Sequence, residues 1–368
     1  MPDASAFSPD YIAARARFRA GALARRAHLE HHPLDALGPD GEDLSIDYAR
    51  IGSSDASRIV LVTSGLHGIE GYFGSAVQAA VLEEALGDWV PPEDAALVFI
   101  HALNPWGMAW KRRVNEDNVD LNRNFLLPDE PWRGLPEGYA ELDRLLHPRT
   151  PPGTFDPFLP KALWLGLRRG GTLLRATAAA GQYDRPRGLF FGGNGPSPTS
   201  VLLREQLRRW FGPARDVLHL DLHTGVGARG RLLLLTRHAP DDPEMNQLAA
   251  SFGRDLLVPW LPDGPKVRGE FIPWLDHHLD VERYEGLVAE VGTVGPVRLL
   301  TALRAENRAH HHGEPEAPAT EAARERLATV LNPMDPRWRK RSVLVGVRLV
   351  QRALEVHLGA VRGARASA

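Results

Sequence analysis

The 368-residue chain contains no cysteine. That absence excludes disulfides, a thiolate nucleophile and any cysteine-based metal site, so a bound metal would have to sit on histidine, aspartate or glutamate. Long apolar runs are missing too, since no stretch approaches the ~18 uninterrupted apolar residues of a membrane-spanning helix. The first residues, MPDASAFSPDYIAARARFRAGALARRAH, lack a continuous apolar segment and carry Asp3 and Asp10 where a secretory signal is apolar or basic. A soluble, cytoplasmic protein with no membrane partner is expected. Net charge is almost absent as well: 44 Lys plus Arg against 46 Asp plus Glu leave −2. No whole-molecule field then draws in polyanions, and nucleic acid is not expected as a partner. The 43% hydrophobic and 24% charged fractions are those of an ordinary globular chain, which excludes a disordered or fibrous one.

What is present alternates. Tyr11, Ala14, Phe18 and Ala22 fall on one stripe after Pro9 and Asp10, which predicts a helix over 9–30. Strands are expected over 44–51, which alternates apolar and polar, and over the continuous apolar runs 58–63 (RIVLVT), 95–100 (AALVFI), 217–222 (VLHLDL), 231–236 (RLLLLT) and 286–291 (GLVAEV). Helical patterns occupy 71–86, 200–211, 244–257, 297–310, 317–331 and 342–361. Buried strands interleaved with helices predict an α/β fold whose largely buried central sheet carries helices on both faces. Between 126 and 198 the pattern breaks into Pro- and Gly-rich stretches (PDEPWRGLPEG, HPRTPPGTFDPFLP, GGNGPSPTS) around one helical patch at 163–180. This reads as a long insertion or lid over one edge of the sheet.

Directly after RIVLVT comes SGLHGIEG, in which His67 and Glu70 are separated by two residues and Gly65, Gly68 and Gly71 let the backbone turn to aim both at one point. An imidazole and a carboxylate suit zinc, which in hydrolases takes three protein ligands and a water. A third ligand is offered by His223 in LDLHTG, at the C-terminal end of another buried strand, the edge where open α/β sheets place their crevice. His219 and Asp221 share its face by the period of two; His219 reads as a buried histidine held by hydrogen bonds. The pairs His31–His32 and His277–His278 and the triplet 310–312 read as surface or packing histidines, because adjacent residues on a helix diverge. In LNPWGMAWKRR and NEDNVDLNRNF, Asn122 and Arg123 together supply an amide and a planar cation that suit a carboxylate. Arg113 adds a fixed cation able to polarise a carbonyl.

HxxE after a buried strand, NPWG followed by arginine, DLNRNF, a distant DLHTG and a late-strand EVGT occur in this order over about 55–313, with LRAENRAHHHG closing the series. The chain thereby resembles the zinc carboxypeptidase superfamily of carboxypeptidase A type, in a bacterial branch related to succinylglutamate desuccinylase and aspartoacylase. The resemblance implies a single catalytic domain over 1–368, built on a mixed central sheet, with 126–198 as insertion or lid and 317–368 as C-terminal helices. It implies one zinc ion on His67, Glu70 and His223, with Asp120 orienting His67, Arg113 polarising the scissile carbonyl, and Asn122 and Arg123 gripping the substrate's carboxylate. Glu290 takes the place of the general base. Neither Tyr183 nor Tyr284 is singled out as the family's mobile tyrosine. The implied activity is a metallocarboxypeptidase acting on peptides. The alternatives are a deacylase of N-acyl amino acids and a non-catalytic protein that captures carboxylates.

Overall fold

The computed structural model describes residues 3–153, 157–169, 180–259 and 267–359. Eight strands form one sheet: β1 (His28–Leu37), β2 (Asp43–Gly52), β3 (Arg58–Ser64), β4 (Ala95–His101), β5 (Asp216–Val226), β6 (Leu232–Thr236), β7 (Leu257–Pro259) and β8 (Arg283–Val294). Their order is β1-β2-β4-β3-β5-β8-β6-β7. The centre, β4-β3-β5-β8, is parallel, whereas β1, β2 and β6 join their inner neighbours antiparallel, so the sheet is mixed as expected.

Alternating side chains divide the core into two layers. Val60, Val62, Leu97 and Phe99 face Phe18, Phe73, Val77, Val347 and Val350, which come from the helices Tyr11–Ala24, Gly71–Ala80 and Pro336–Ala353. Ile59, Leu61, Val98 and Ile100 face Leu203, Leu207, Trp210 and Trp274, from Pro198–Phe211 and Phe271–His278. Continuous apolar strands require this two-sided cover.

The boundaries differ from the sequence reading where backbone chemistry intervenes. The first helix stops at Ala24 instead of running to residue 30, because Arg26 turns left-handed at φ 54° and β1 begins at His28. β1 was not expected: it is an edge strand with half-exposed residues and Pro33, a proline tolerated where no second neighbour needs its N–H. His31 and His32 therefore lie on a strand, not a helix. The helix expected over 244–257 spans Pro243–Phe252 and ends at Gly253 (φ 94°), after which Leu257–Pro259 pairs with β6.

In the insertion the structure adds a helix at Tyr139–Leu146 and places another at Phe158–Arg169; the rest of the patch expected at 163–180 lies outside the described residues up to 179. Its last third is pinned to the 115–125 loop: Asp120 N donates to Phe191 O (2.8 Å), and Asn124 Nδ2 to Gly192 O (2.8 Å). Among the described residues no helix is long and apolar enough to cross a membrane.

Candidate metal centre

β3 ends at Ser64, and Gly65 at φ +72° turns the chain in the left-handed region that favours glycine. The turn is locked to the segment after β4, with Leu103 N donating to Ser64 O and Asn104 N to Gly65 O, both at 2.9 Å. His67 then precedes a short 3-10 turn, Gly68–Glu70, that opens the helix Gly71–Ala80. Gly68 and Gly71 do not serve to turn the chain, as the sequence suggested. Gly71 has ordinary helical angles (φ −57°), and a Cβ on Gly68 would run into the Gly107 backbone and come within 2.5 Å of Arg112 O. Gly68 is needed because the HxxE and NPWG loops cross almost in backbone contact, joined by Ile69 N to Arg112 O (2.9 Å).

His223 comes from the C-terminal half of β5, one strand away. Ligand atoms of His67, Glu70 and His223, all buried, lie within 4.8 Å of one another, the one such group of three among the described residues. His223 Nδ1 is 3.1 Å from His67 Nδ1 and 3.1 Å from Glu70 Oε2, and His67 Nδ1 is 3.2 Å from Glu70 Oε1. Bonds of ~2.0–2.1 Å in a tetrahedral shell give donor edges of about 3.3 Å, close to these separations. Two imidazole nitrogens turned toward each other beside a carboxylate form a donor set for a cation, and these three residues can hold a metal ion. Burial pushes the Glu70 carboxyl up, but the neighbouring His67 and His223 outweigh it and leave it well below the ordinary carboxylate range. Burial lowers the His223 imidazole, and Asp221 and Glu70 more than reverse that.

Around this trio stand the other residues singled out above. Asp120 Oδ1 is 3.3 Å from His67 Nε2 and accepts from Asn122 N at 3.1 Å. Burial opposes its charge, but Arg113 and then His67 hold it far below its usual value. Arg113 Nη2 is 2.7 Å from His67 Nε2 and 3.1 Å from Asp120 Oδ2, and Nη1 is 3.5 Å from Glu70 Oε1. His67 Nε2 thus faces one group that only donates and one that only accepts. Glu290 is the register partner of His223 across β5 and β8, and only the missing side chain of Gly225 leaves room for its carboxyl, Oε1 lying 2.8 Å from where a Cβ would be. Burial and then the Glu70 charge push this carboxyl up to about 8 against the pull of His223 and Arg113.

Asn122 and Arg123 lie in the next short turn, Leu121–Arg123, and are buried. Asn122 Oδ1 accepts from Phe271 N (3.0 Å), so that oxygen is committed to the start of the helix Phe271–His278, while Arg123 adds to the depression of Asp120. The Arg123 stem packs on Gly181, where a Cβ would lie 2.6 Å from its Cδ, and its carbonyl accepts from the Tyr183 hydroxyl (2.8 Å). Tyr284 is buried beside His219. Both tyrosine hydroxyls are engaged in the protein interior.

Sequence reasoning left some partners without a role. Asp221 Oδ2 sits 2.7 Å from His223 Nε2; the shared strand face was legible, the contact was not. The tail motif LRAENRAHHHG supplies Glu306, whose carboxylate accepts from buried Arg112 Nε at 2.6 Å and so braces the loop bearing Arg113. The clustered histidines form no metal-capable group among the described residues.

The chain is similar to carboxypeptidase A from Helicoverpa armigera, with 14% identity over 86% of this chain and 73% of that one and a TM-score of 0.43. It is similar to a metallo-carboxypeptidase from Burkholderia cenocepacia, with 12% identity over 91% and 68% and a TM-score of 0.41. A third likeness is to an aspartoacylase family protein from Mesorhizobium loti, with 13% identity over 83% and 67% and a TM-score of 0.35. No curated protein matches the chain. A family model matches residues 7–345, nearly the whole chain, and the protein belongs to that family, described as Protein of unknown function (DUF2817).

Proposed function

We propose that this chain is a zinc-dependent hydrolase that cleaves an amide bond next to a free carboxylate, acting as a carboxypeptidase on peptides. The observation that carries this reading is the convergence of His67, Glu70 and His223 at one sheet edge, with Glu290 in register beside His223 and Arg113 beside His67. A bound zinc ion would supply Lewis acidity, making a water acidic near neutrality and polarising the scissile carbonyl.

The chain's own residues do the rest. As a ligand through Nδ1, the atom that faces His223 and Glu70, His67 would keep its proton on Nε2 and donate it to Asp120 Oδ1, which would fix the tautomer. Arg113, whose Nη2 lies beside His67 Nε2 and Asp120 Oδ2, would supply a fixed positive charge to the substrate oxygen, where negative charge develops in the transition state. Glu290 takes the proton from the attacking water and returns it to the leaving amine; a carboxyl raised toward neutrality suits both halves of that task. Arg123, with the amide nitrogen of Asn122, holds the substrate's terminal carboxylate.

A second reading is deacylation of N-acyl amino acids, which the packing of Gly181 and Tyr183 directly against Arg123 favours by bringing the insertion up to the residue that would hold the carboxylate. A panel of C-terminal peptides and N-acyl amino acids, assayed on zinc-loaded protein, separates the two. Glu290→Gln is expected to keep stoichiometric zinc and to lose kcat by about 10²–10⁴-fold. Near-normal turnover would remove Glu290 from the role of base. Wild type that takes up no zinc and stays inactive when zinc is supplied would leave carboxylate capture as the function. A substrate turned over equally by Arg123→Ala would show that this residue does not read its carboxylate.

A further inference from the structure

Behind His223 runs an unbroken line of buried polar groups across three strands. Tyr284 Oη is 2.7 Å from His219 Nδ1, His219 Nε2 is 2.7 Å from Thr63 Oγ1, Thr63 Oγ1 is 2.6 Å from Asp221 Oδ1, and Asp221 Oδ2 is 2.7 Å from His223 Nε2. All five residues are buried. The register accounts for the line. Thr63 on β3 is paired with Asp221 on β5, the side chains of 219, 221 and 223 share one face, and β8 places Tyr284 level with Val217 on that same face. Gly286, level with His219, leaves the space that the tyrosine ring fills: a Cβ there would lie 3.0 Å from Tyr284 Oη and collide with Ile272.

Each hydrogen in this line has one place to go. A carboxylate only accepts, so the single hydroxyl hydrogen of Thr63 points to Asp221 Oδ1. Thr63 can then only accept from His219, which puts a proton on His219 Nε2. Burial lowers His219 to about 4, so the ring is neutral at ordinary pH and its Nδ1 is a lone pair that accepts from the Tyr284 hydroxyl. At the other end Asp221 Oδ2 accepts the Nε2 hydrogen of His223, which directs Nδ1 of His223 toward His67 and Glu70.

We propose that Tyr284, His219, Thr63 and Asp221 form a one-way hydrogen-bond chain that fixes the tautomer and orientation of His223, making the first three residues positioning residues for a metal site they do not touch. This rests on the reading of His67, Glu70 and His223 as ligands. Its function is preorganisation, because a ring already oriented with Nδ1 toward the site and its Nε2 hydrogen held by Asp221 needs no reordering when the ion arrives. Thr63→Val keeps the shape and removes the hydroxyl, Thr63→Ser restores a hydroxyl, and Tyr284→Phe removes only the far end.

The test uses the full-length protein. Zinc affinity is measured by competition with a chromophoric chelator, and the histidine tautomers of the wild type are read from imidazole ¹⁵N shifts. Thr63→Val is expected to bind zinc about tenfold more weakly, Thr63→Ser to recover most of that loss, and Tyr284→Phe to show a smaller loss. The wild-type spectrum should place the His219 proton on Nε2. A His219 proton on Nδ1, or folded Thr63→Val with wild-type zinc affinity, overturns the chain. The spectrum keeps the proposal open to refutation even if the valine variant does not fold. Failure of the wild type to bind zinc would overturn the metal reading and this proposal with it, whereas a zinc-binding wild type with indifferent variants overturns only the latter.

Discussion

Glu270 opens the helix Phe271–His278 without hydrogen-bonding its first turn, and its Oε1 has no hydrogen-bond partner among the described residues. It sits next to Gly269, where a side chain would strike the carbonyl of Arg123, so the acid is pressed against the turn that bears the proposed carboxylate grip. Burial pushes this carboxyl up to about 7, with Arg123 pulling it down and Glu130 pushing it further up. The folded state therefore holds the proton more tightly than the unfolded chain, in which the group titrates near 4.5. Its favourable contribution is complete below pH 4.5 and is lost as pH rises through about 7. Glu270→Gln keeps the shape of the neutral acid and cannot ionise. Its Tm should match the wild type at pH 4.5 and exceed it by a few degrees at pH 8; equal Tm at both pH values would show that the carboxyl is not strained by ionisation.

At the scale of elements, the site depends on two loops crossing at Gly68 and Gly107. One loop carries His67 and Glu70, the other ends in Arg113, and Arg112 is anchored from below by Glu306. Gly68→Ala forces them apart, and overpacking of this kind costs about 1–3 kcal/mol. A lower urea midpoint and weaker zinc binding are expected together; an unchanged midpoint would mean that the crossing yields without strain. Much of this was legible in the sequence, because β3, β4, β5 and β8 are apolar runs and the motifs at their C-terminal ends carry uncommon residue types at fixed spacing. His67, Glu70, His223, Asp120 and Glu290 meet for that reason. The missing parts depend on pairing across distant segments. β1 is a polar edge strand and β7 spans three residues, so neither has a periodic signal. Asp221 and Thr63 join only when β3 and β5 lie in register, and Gly68 looked like a turn residue because its need arises from a loop 39 positions away.

On the scale of the whole molecule, burial of neutral histidines ties the fold to pH. His101, at the end of β4, stacks on Phe18 with ring centroids 4.6 Å apart; its Nε2 is 2.9 Å from Ser75 Oγ, and among the described residues its Nδ1 has no partner to accept a proton's hydrogen bond. His219 lies in the opposite layer, edge-on to Phe271. His147, in the insertion, accepts from Leu189 N at Nδ1 (3.2 Å) and donates from Nε2 to the Tyr139 hydroxyl (2.6 Å). Burial lowers each of the three to about 4 from an ordinary 6.5. Between those values the unfolded chain binds protons that the folded chain refuses, so their stabilising effect is complete above pH 6.5 and is lost as pH falls toward 4. Each group contributes a slope of up to about 1.4 kcal/mol per pH unit in that window. Because the three sit in both core layers and in the insertion, the loss should appear in one cooperative unfolding transition if residues 1–368 form the single domain we propose. Urea unfolding at a series of pH values from 7.5 to 4.5 measures it, and His101→Gln should flatten the dependence by about one proton. A wild-type midpoint that does not move across this window would mean that the buried rings accept protons without disturbing the fold.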